Sequence, residues 1–595
     1  MMQKKKIGNV PLYYPDGAET SEAALEEEDR QLLEIVQTCK EQEYHDEITS
    51  RKNWTIMYQL AESRANIIEW LQLPPQAKVL ELGAGCGTIT SALLKKGAAV
   101  TCLEEKYAYC SINAQRHREA TEQSLTIYAA SLEQCEAELD SDYDVVTAIG
   151  LPLTEDRTGQ LLRRIYAHLK PQGVLILTIK NKFGLKYWAG NKEPYTHRYF
   201  AGLENDGIRL YSPGRMRRLL TETGFGCQQT YYPYPDERFA LNIYSDRYLP
   251  KKGDMNYNIA NYEDDRILLF DEQKVFDSII EEGQFPFFAN ACLFLAGKEQ
   301  AQKEQKDVYI RYATDRSRAF AVCTQMTDRY VQKRALYTEG AAHIAHMKEA
   351  CEQLGRQYAA IPKMQFNRCE SGTDADGNVY ARFERLDAQA LSEQVEQAVL
   401  ADDMQDVFQI LQKLIQIIRN GGNHVPFEMT DGFRNVFGTL SDADALQQTV
   451  CSSVSDIDLI LPNILVDKDG VWHVIDYEWT FFFPVPQNFI IYRTLFFLNH
   501  ENPQKEELSM HRLLAAADIP QEEAAVYAQM EPAFQQYVTG ECIPYREMVN
   551  LLERRFFNMV QLKEDYDRLA AQNELLKGKG IWKAARKIKK KLTGN

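Results

Sequence analysis

The sequence predicts an α/β fold: a parallel sheet with crossover helices in the first half, then a two-lobed α+β region and a helical tail. Three observations lead there. From Trp54 to about Ser245, strand-like and helix-like segments alternate, the pattern of repeated βαβ units. The apolar run Val79-Leu80-Glu81-Leu82 leads directly into the turn Gly83-Ala84-Gly85-Cys86-Gly87. From about residue 271 the pattern restarts with short strands, and its long apolar-periodic helix falls around Val407 to Arg419.

A chain of 595 residues is too long for one hydrophobic core. Five segments are expected: an acidic helical extension at 1–50, the parallel-sheet domain at 51–250, a polar connection at 251–300, a second domain at 301–545 and a tail at 546–595. The net charge of −17 argues against gripping nucleic acid through the whole surface. Twelve cysteines without a C-x-x-C pair read as buried thiols in a reducing compartment. Met1 to Lys6 is basic, but no apolar signal core follows, and no apolar run reaches the roughly 18 residues that span a bilayer. A cytoplasmic protein is expected.

In the first domain, glycines let the backbone turn tightly and approach a ligand without interfering Cβ atoms. Glu81 is positioned to accept hydrogen bonds from the turn and from a ligand amino group. A second strand, Ala98 to Leu103, ends in Glu104, a good place for a carboxylate that grips ribose hydroxyls. A third strand, Tyr143 to Gly150, ends in small residues. A fourth, Val174 to Ile179, follows Lys170-Pro171-Gln172-Gly173.

This set resembles the Rossmann-like class I methyltransferases, whose glycine motif is E/D-x-G-x-G-x-G. The resemblance covers about two hundred residues and includes the K-P-x-G turn before the last of these strands. It implies S-adenosylmethionine (SAM) as cofactor, with Glu81, Gly83, Gly85 and Gly87 around its methionine part and Glu104 on its ribose. Ser131 and Leu132, after the strand Leu125 to Ala129, would flank the adenine. An NAD-binding domain or an inert scaffold is the alternative. The strip Lys180 to Trp188, with lysines among aromatics, suits either an anionic, sugar-like acceptor or a solvated loop.

In the second domain, Asp458 and Asn463 are five residues apart, and Asp476 ends the next apolar strand. Phosphoryl transfer needs a carboxylate near the attacking hydroxyl and oxygen ligands for Mg²⁺. The spacing resembles the D-x-x-x-x-N loop of protein kinases and of aminoglycoside or choline kinases. That resemblance makes Asp458 the residue that orients the hydroxyl, with Asn463 and Asp476 as Mg²⁺ ligands. Lys333, on the strand Val331 to Leu336, would contact ATP, with Glu339 or, further on, Glu349 as its ion-pair partner. Two departures stand out: Asp456 replaces the usual histidine, and Tyr309 to Met326 contains no glycine for a phosphate loop. An active kinase, an inactive kinase-like fold and a coincidence of spacing remain open. His343 and His346, one turn apart, read as surface residues.

In the tail, Met559, Leu562, Tyr566, Leu569, Asn573 and Leu576 follow a/d heptad spacing. They suit a short coiled coil or a helix packed on the second domain. The segment Gly580 to Leu592 has no acidic residue and is amphipathic, which suits the anionic inner face of the plasma membrane, a solvated end or an acidic partner. In order, the parts resemble the bacterial bifunctional kinase–methyltransferases that terminate cell-surface polysaccharide chains. That resemblance implies a glycan or glycan-lipid substrate, a glycosyltransferase or polymerase partner, and peripheral attachment to the membrane. A methyltransferase of a small metabolite or glycan precursor, with an inactive docking half, is the alternative.

Overall fold

The computed structural model describes all residues except 1, 19, 22–24, 259–263, 299–305, 375–376, 542, 544–550, 553, 579–580 and 594–595. The chain divides into two units, Met1–Gln305 with Arg546–Asn595, and Lys306–Tyr545. The expected boundaries at 300/301 and 545/546, and Gly580 at the head of the basic segment, lie outside the described residues.

The first unit is built on a mixed sheet. Its strands are β1 (Met2–Ile7), β2 (Val10–Pro15), β3 (Lys78–Leu82), β4 (Ala99–Leu103), β5 (Leu125–Tyr128), β6 (Tyr143–Ala148), β7 (Leu169–Lys180), β8 (Cys227–Tyr234) and β9 (Asn242–Ser245). β10 (Arg266–Leu268) lies apart from this sheet, and β11 (Ala291–Gly297) completes it. The spatial order is β1-β2-β5-β4-β3-β6-β7-β11-β8-β9. From β2 to β7 neighbouring strands are parallel. The order reverses between β3 and β6, the switch point where α/β sheets open a ligand crevice. Val79, Leu80, Ile127 and Val146 are fully buried, as expected of strands covered on both faces.

Two expected segments are corrected. Residues 1–50 are not wholly helical: β1 and β2 form an antiparallel hairpin, and β2 pairs in parallel with β5. Val10 and Leu12 drive this by burying completely. Residues 251–300 are more than a connection. β11 inserts antiparallel between β7 and β8, with all seven residues buried.

The second unit opens with a five-stranded antiparallel sheet. Its spatial order is Tyr309–Ala313, Val322–Met326, Tyr330–Ala335, Val379–Glu384, Cys369–Thr373. The helix Ala341–Gln357 packs on this sheet through Ile344, Met347, Ala350 and Leu354, one stripe at helical spacing. A helical part follows, with Met404–Gly421, Gln487–Glu501 and Gln521–Thr539. A small sheet there pairs Ile464–Val466 with Trp472–Val474.

The tail begins by pairing Phe556–Asn558 in parallel with β10, inside the first unit. The helices Met559–Gly578 and Ile581–Thr593 follow. Leu562, Tyr566, Leu569 and Leu576 of the heptad seam are exposed.

Candidate active sites

β3 ends at Leu82, and the turn after it is tied to β4 by the Gly83 and Ala84 amides, which donate to Leu103 O at 2.8 and 3.2 Å. Gly85 and Gly87 adopt φ of +55° and +88°, where a side chain is strained. A Cβ on Gly87 would stand 2.3 Å from Asn113 Oδ1. Glu104, one residue past β4, reaches back to this turn. Its Oε2 accepts from Gly85 N at 3.1 Å and its Oε1 from Lys106 N at 2.9 Å. The carboxylate is thereby fixed and half-buried, facing the place where the backbone is bare.

The helix Trp54–Leu60 closes this end. Gln59 Oε1 accepts from Cys86 N at 3.2 Å and lies 2.9 Å from the position of a Cβ on Gly85. Lys106 pairs with the buried Asp29 at 2.9 Å, which ties the helix Glu27–Thr38 to the same corner. Neither Gln59 nor Asp29 was legible as part of the site, because both lie outside the glycine motif and its strands.

Glu81 departs from expectation. Its Oε2 accepts from Thr90 Oγ1 at 2.7 Å and from Cys102 Sγ at 3.3 Å. Burial pushes its carboxyl up to about 7. Ser131 caps the short helix Leu132–Cys135 through a capping box with Gln134, and Leu132 is buried.

The glycine turn and Glu104 fit SAM: three positions without a Cβ, Gly83, Gly85 and Gly87, lie beside a fixed carboxylate. The strip Lys180 to Trp188 is not a solvated loop. Lys180, its side chain 9% exposed, lies 2.9 Å from Glu237, and Lys186 is buried 2.9 Å from Asp236. Phe183 stacks on Phe287 with ring centroids 4.9 Å apart, while Trp188 is exposed.

Residues 80–175, from β3 into β7, match the family model described as a methyltransferase domain. This part of the chain is similar to methyltransferase domains and has a Rossmann-like sheet order. Among curated proteins, none matches the sequence. Among solved structures, the chain is similar to a SAM-dependent methyltransferase from Archaeoglobus fulgidus, at 14% identity and TM-score 0.26, covering 40% of this chain and 94% of that one. It is also similar to WbdD in complex with the kinase inhibitor LY294002, at 13% identity and TM-score 0.23, covering 80% and 86%. A third is Haemonchus contortus phosphoethanolamine N-methyltransferase 2 with SAM, at 15% identity and TM-score 0.26, covering 49% and 62%.

In the second unit, the structure brings Lys333, Asp458, Asn463 and Asp476 into one region. Lys333 Nζ pairs with Asp476 and, at 2.9 Å, with Glu478. Asn463 Nδ2 donates to Asp458 O at 3.0 Å, and Ile475 N donates to Asn463 O at 2.8 Å, tying the two loops together. Asp476 has φ of +56°, and its side chain, 41% exposed, is more open than those of Lys333 and Asp458. Asp458 is paired with Arg493, which also holds Glu531 at 2.7 Å. Burial pushes the Asp458 carboxyl up against the pull of Arg493.

Glu339 is corrected. It is exposed and pairs with Arg318 at 3.0 Å, so the partners of Lys333 are Asp476 and Glu478. Glu478 is buried between Lys333 and Arg316, 2.8 Å away. These cations overcome burial and hold its carboxyl well below the usual range. The two histidines are not surface residues. His343 is buried 3.7 Å from Glu478, and His346 bonds Thr480 O at 2.6 Å. Among the described residues no group of three or more His, Cys, Asp or Glu forms a metal cluster, and no helix is long and apolar enough to cross a membrane.

Proposed function

We propose that the chain is a SAM-dependent methyltransferase acting on the end of a cell-surface glycan, or on its phosphorylated end, at the cytoplasmic membrane face. The second unit is proposed to be a kinase-like domain that phosphorylates the same glycan. The observation that carries the first claim is the Glu104 carboxylate, fixed by the amides of Gly85 and Lys106 beside the glycine turn. In this reading Gly83, Gly85 and Gly87 hold the amino-acid end of SAM, Glu104 accepts from its ribose hydroxyls, and Ser131 and Leu132 flank its adenine. The cofactor supplies an electrophilic methyl group. The protein's part is alignment of an in-line attack.

For the second unit, Lys333, Asn463 and Asp476 have the character of a Mg²⁺–ATP site, with Asn463 Oδ1 and the open Asp476 carboxylate as ligands. One observation favours the alternative of an inactive docking half. Asp458, the group that would orient a hydroxyl, is engaged by Arg493. ATP with Mg²⁺ is expected to raise the melting temperature of the full chain, and Asp476→Ala to abolish that rise. No shift with the wild type would leave the methyltransferase with a docking half. Mass spectrometry of lipid-linked glycan incubated with SAM and ATP, separately and together, tests the substrate. The expected result is a methylated glycan end.

A further inference from the structure

A cluster of buried polar side chains lies just beyond the glycine turn. Glu237 is 3% exposed and Tyr187 is 4% exposed, yet both Glu237 carboxylate oxygens and the Tyr187 hydroxyl lack hydrogen-bond partners. Lys180 Nζ stands 2.9 Å from Glu237 Oε1 outside hydrogen-bond geometry. Buried acceptors left open in this way call for a donor. Tyr187, Tyr195 and Arg238 all lie close enough to Lys180 and Glu237 to interact with them electrostatically.

Three contacts join this cluster to the methyl-donor end of the domain. Tyr195 Oη donates to Leu151 O at 3.4 Å, and Leu151 Cδ2 lies 2.4 Å from where a Cβ on Gly83 would stand. Tyr58 neighbours Gln59 on the helix that caps the turn, and its hydroxyl lies 3.2 Å from a Cβ built on Gly150, after β6. Lys180 is the last residue of β7. The cluster therefore sits at the carboxyl ends of β6 and β7, where the crevice of such a sheet opens. A cavity of about 10 Å³ lined by Leu151, Leu153, Ile179, Lys180, Tyr195 and Tyr211 is the size of one hydroxyl oxygen.

We infer that this cluster is the acceptor site, that it takes a sugar hydroxyl, and that Glu237 is the catalytic base. The inference rests on the methyltransferase reading and deepens it by choosing a hydroxyl over a phosphate. The acceptor hydroxyl donates to Glu237 while its oxygen attacks the methyl carbon of the sulfonium donor. The C–O bond forms, the S–C bond breaks with its electron pair passing to sulfur, and the hydroxyl proton moves to the Glu237 carboxylate. The products are a methyl ether and a neutral thioether. A carboxylate is base enough, because the proton leaves an oxygen that is becoming a protonated ether. Lys180, and beyond it Lys186 and Arg238, overcome burial and keep Glu237 ionised. Tyr187 is a positioning donor to the sugar.

The test uses the full chain, methyl-labelled SAM and methyl glycosides of glucose, galactose, mannose and N-acetylglucosamine as probes. The expected result is label in an alkali-stable, phosphatase-resistant methyl ether of at least one probe. Glu237→Gln is expected to lower transfer at least 100-fold with SAM affinity within twofold of wild type. Tyr187→Phe, which removes only an unpartnered hydroxyl, is expected to lower transfer at least tenfold and to weaken the glycoside's saturation-transfer NMR signal, with unchanged melting temperature. Label on none of the four while SAM binds would overturn the inference, as would transfer to a phosphate or a fully active Glu237→Gln. A wild type that does not bind SAM at all instead removes the methyltransferase reading beneath it.

Discussion

Glu104 and Glu81 are two carboxylates twenty-three residues apart with opposite fates, decided by their surroundings. Glu104 is fixed by two backbone amides and stays half-exposed, so under the proposed function its replacement removes a ligand contact more than a structural one. Glu104→Ala is expected to weaken SAM binding by roughly 10-fold or more, since a hydrogen bond to a charged group contributes about 1.5–3 kcal/mol, and to leave the melting temperature nearly unchanged. Calorimetric titration and thermal scanning together check this. Glu81 is fully buried, and its folded pKa of about 7 lies above the ordinary carboxylate value of 4.5. The folded state thus binds a proton more tightly than the unfolded chain. Stability from this group is complete below about pH 4.5 and is lost as pH rises towards 7. Glu81→Gln, which cannot ionise, should gain in melting temperature relative to wild type between pH 5 and pH 8. An unchanged difference across that range would show that Glu81 is ionised in the folded protein. The placement of Glu104 beside the glycine turn was legible because it follows directly on a strand. The contacts of Glu81 with Thr90 and Cys102 were not legible, because pattern alone does not bring these side chains together.

At the scale of elements, the alternation of strands and helices made β3 to β7 legible in order. The two misjudged strands are ones that this alternation does not announce. β1 is a lysine-rich edge strand, Gln3-Lys4-Lys5-Lys6, which reads as solvated chain although such charge is what protects a sheet edge. β11 arrives after a long polar excursion and pairs antiparallel, breaking the βαβ rhythm. Its burial makes it indispensable. A chain ending at residue 250 leaves the facing edges of β7 and β8 unpaired, and it should be insoluble where a chain ending at 300 is less so; expression and sedimentation decide. Phe294, fully buried in β11, should cost about 3–5 kcal/mol when replaced by alanine, read by denaturant unfolding. In the second unit, the Lys333 strand and its following helix were legible, but the salt-bridge partner was not. Glu339 opens the helix on its solvent side, and the buried partner, Glu478, comes from 145 residues away.

Across the whole molecule, charge is unevenly distributed. The chain carries −17, yet the helix Ile581–Thr593 presents Lys583, Arg586, Lys587, Lys589, Lys590 and Lys591 at exposed positions. Attraction to anionic lipid at about 1 kcal/mol per basic residue predicts binding to phosphatidylserine vesicles that weakens steeply with salt and disappears on deletion of 581–595. Equal co-sedimentation of the shortened chain would remove the membrane from the account. Leu562, Tyr566, Leu569 and Leu576, picked out by heptad spacing, are exposed, and the pairing of Phe556–Asn558 with β10 ties the tail to the first unit and not to the second. What holds these parts to one function is the donor site. Titration of the purified full chain with SAM measures it most directly: the account predicts saturable binding at one site per chain, lost in Glu104→Ala and preserved in Asp476→Ala. A folded wild type that takes up no SAM would contradict it.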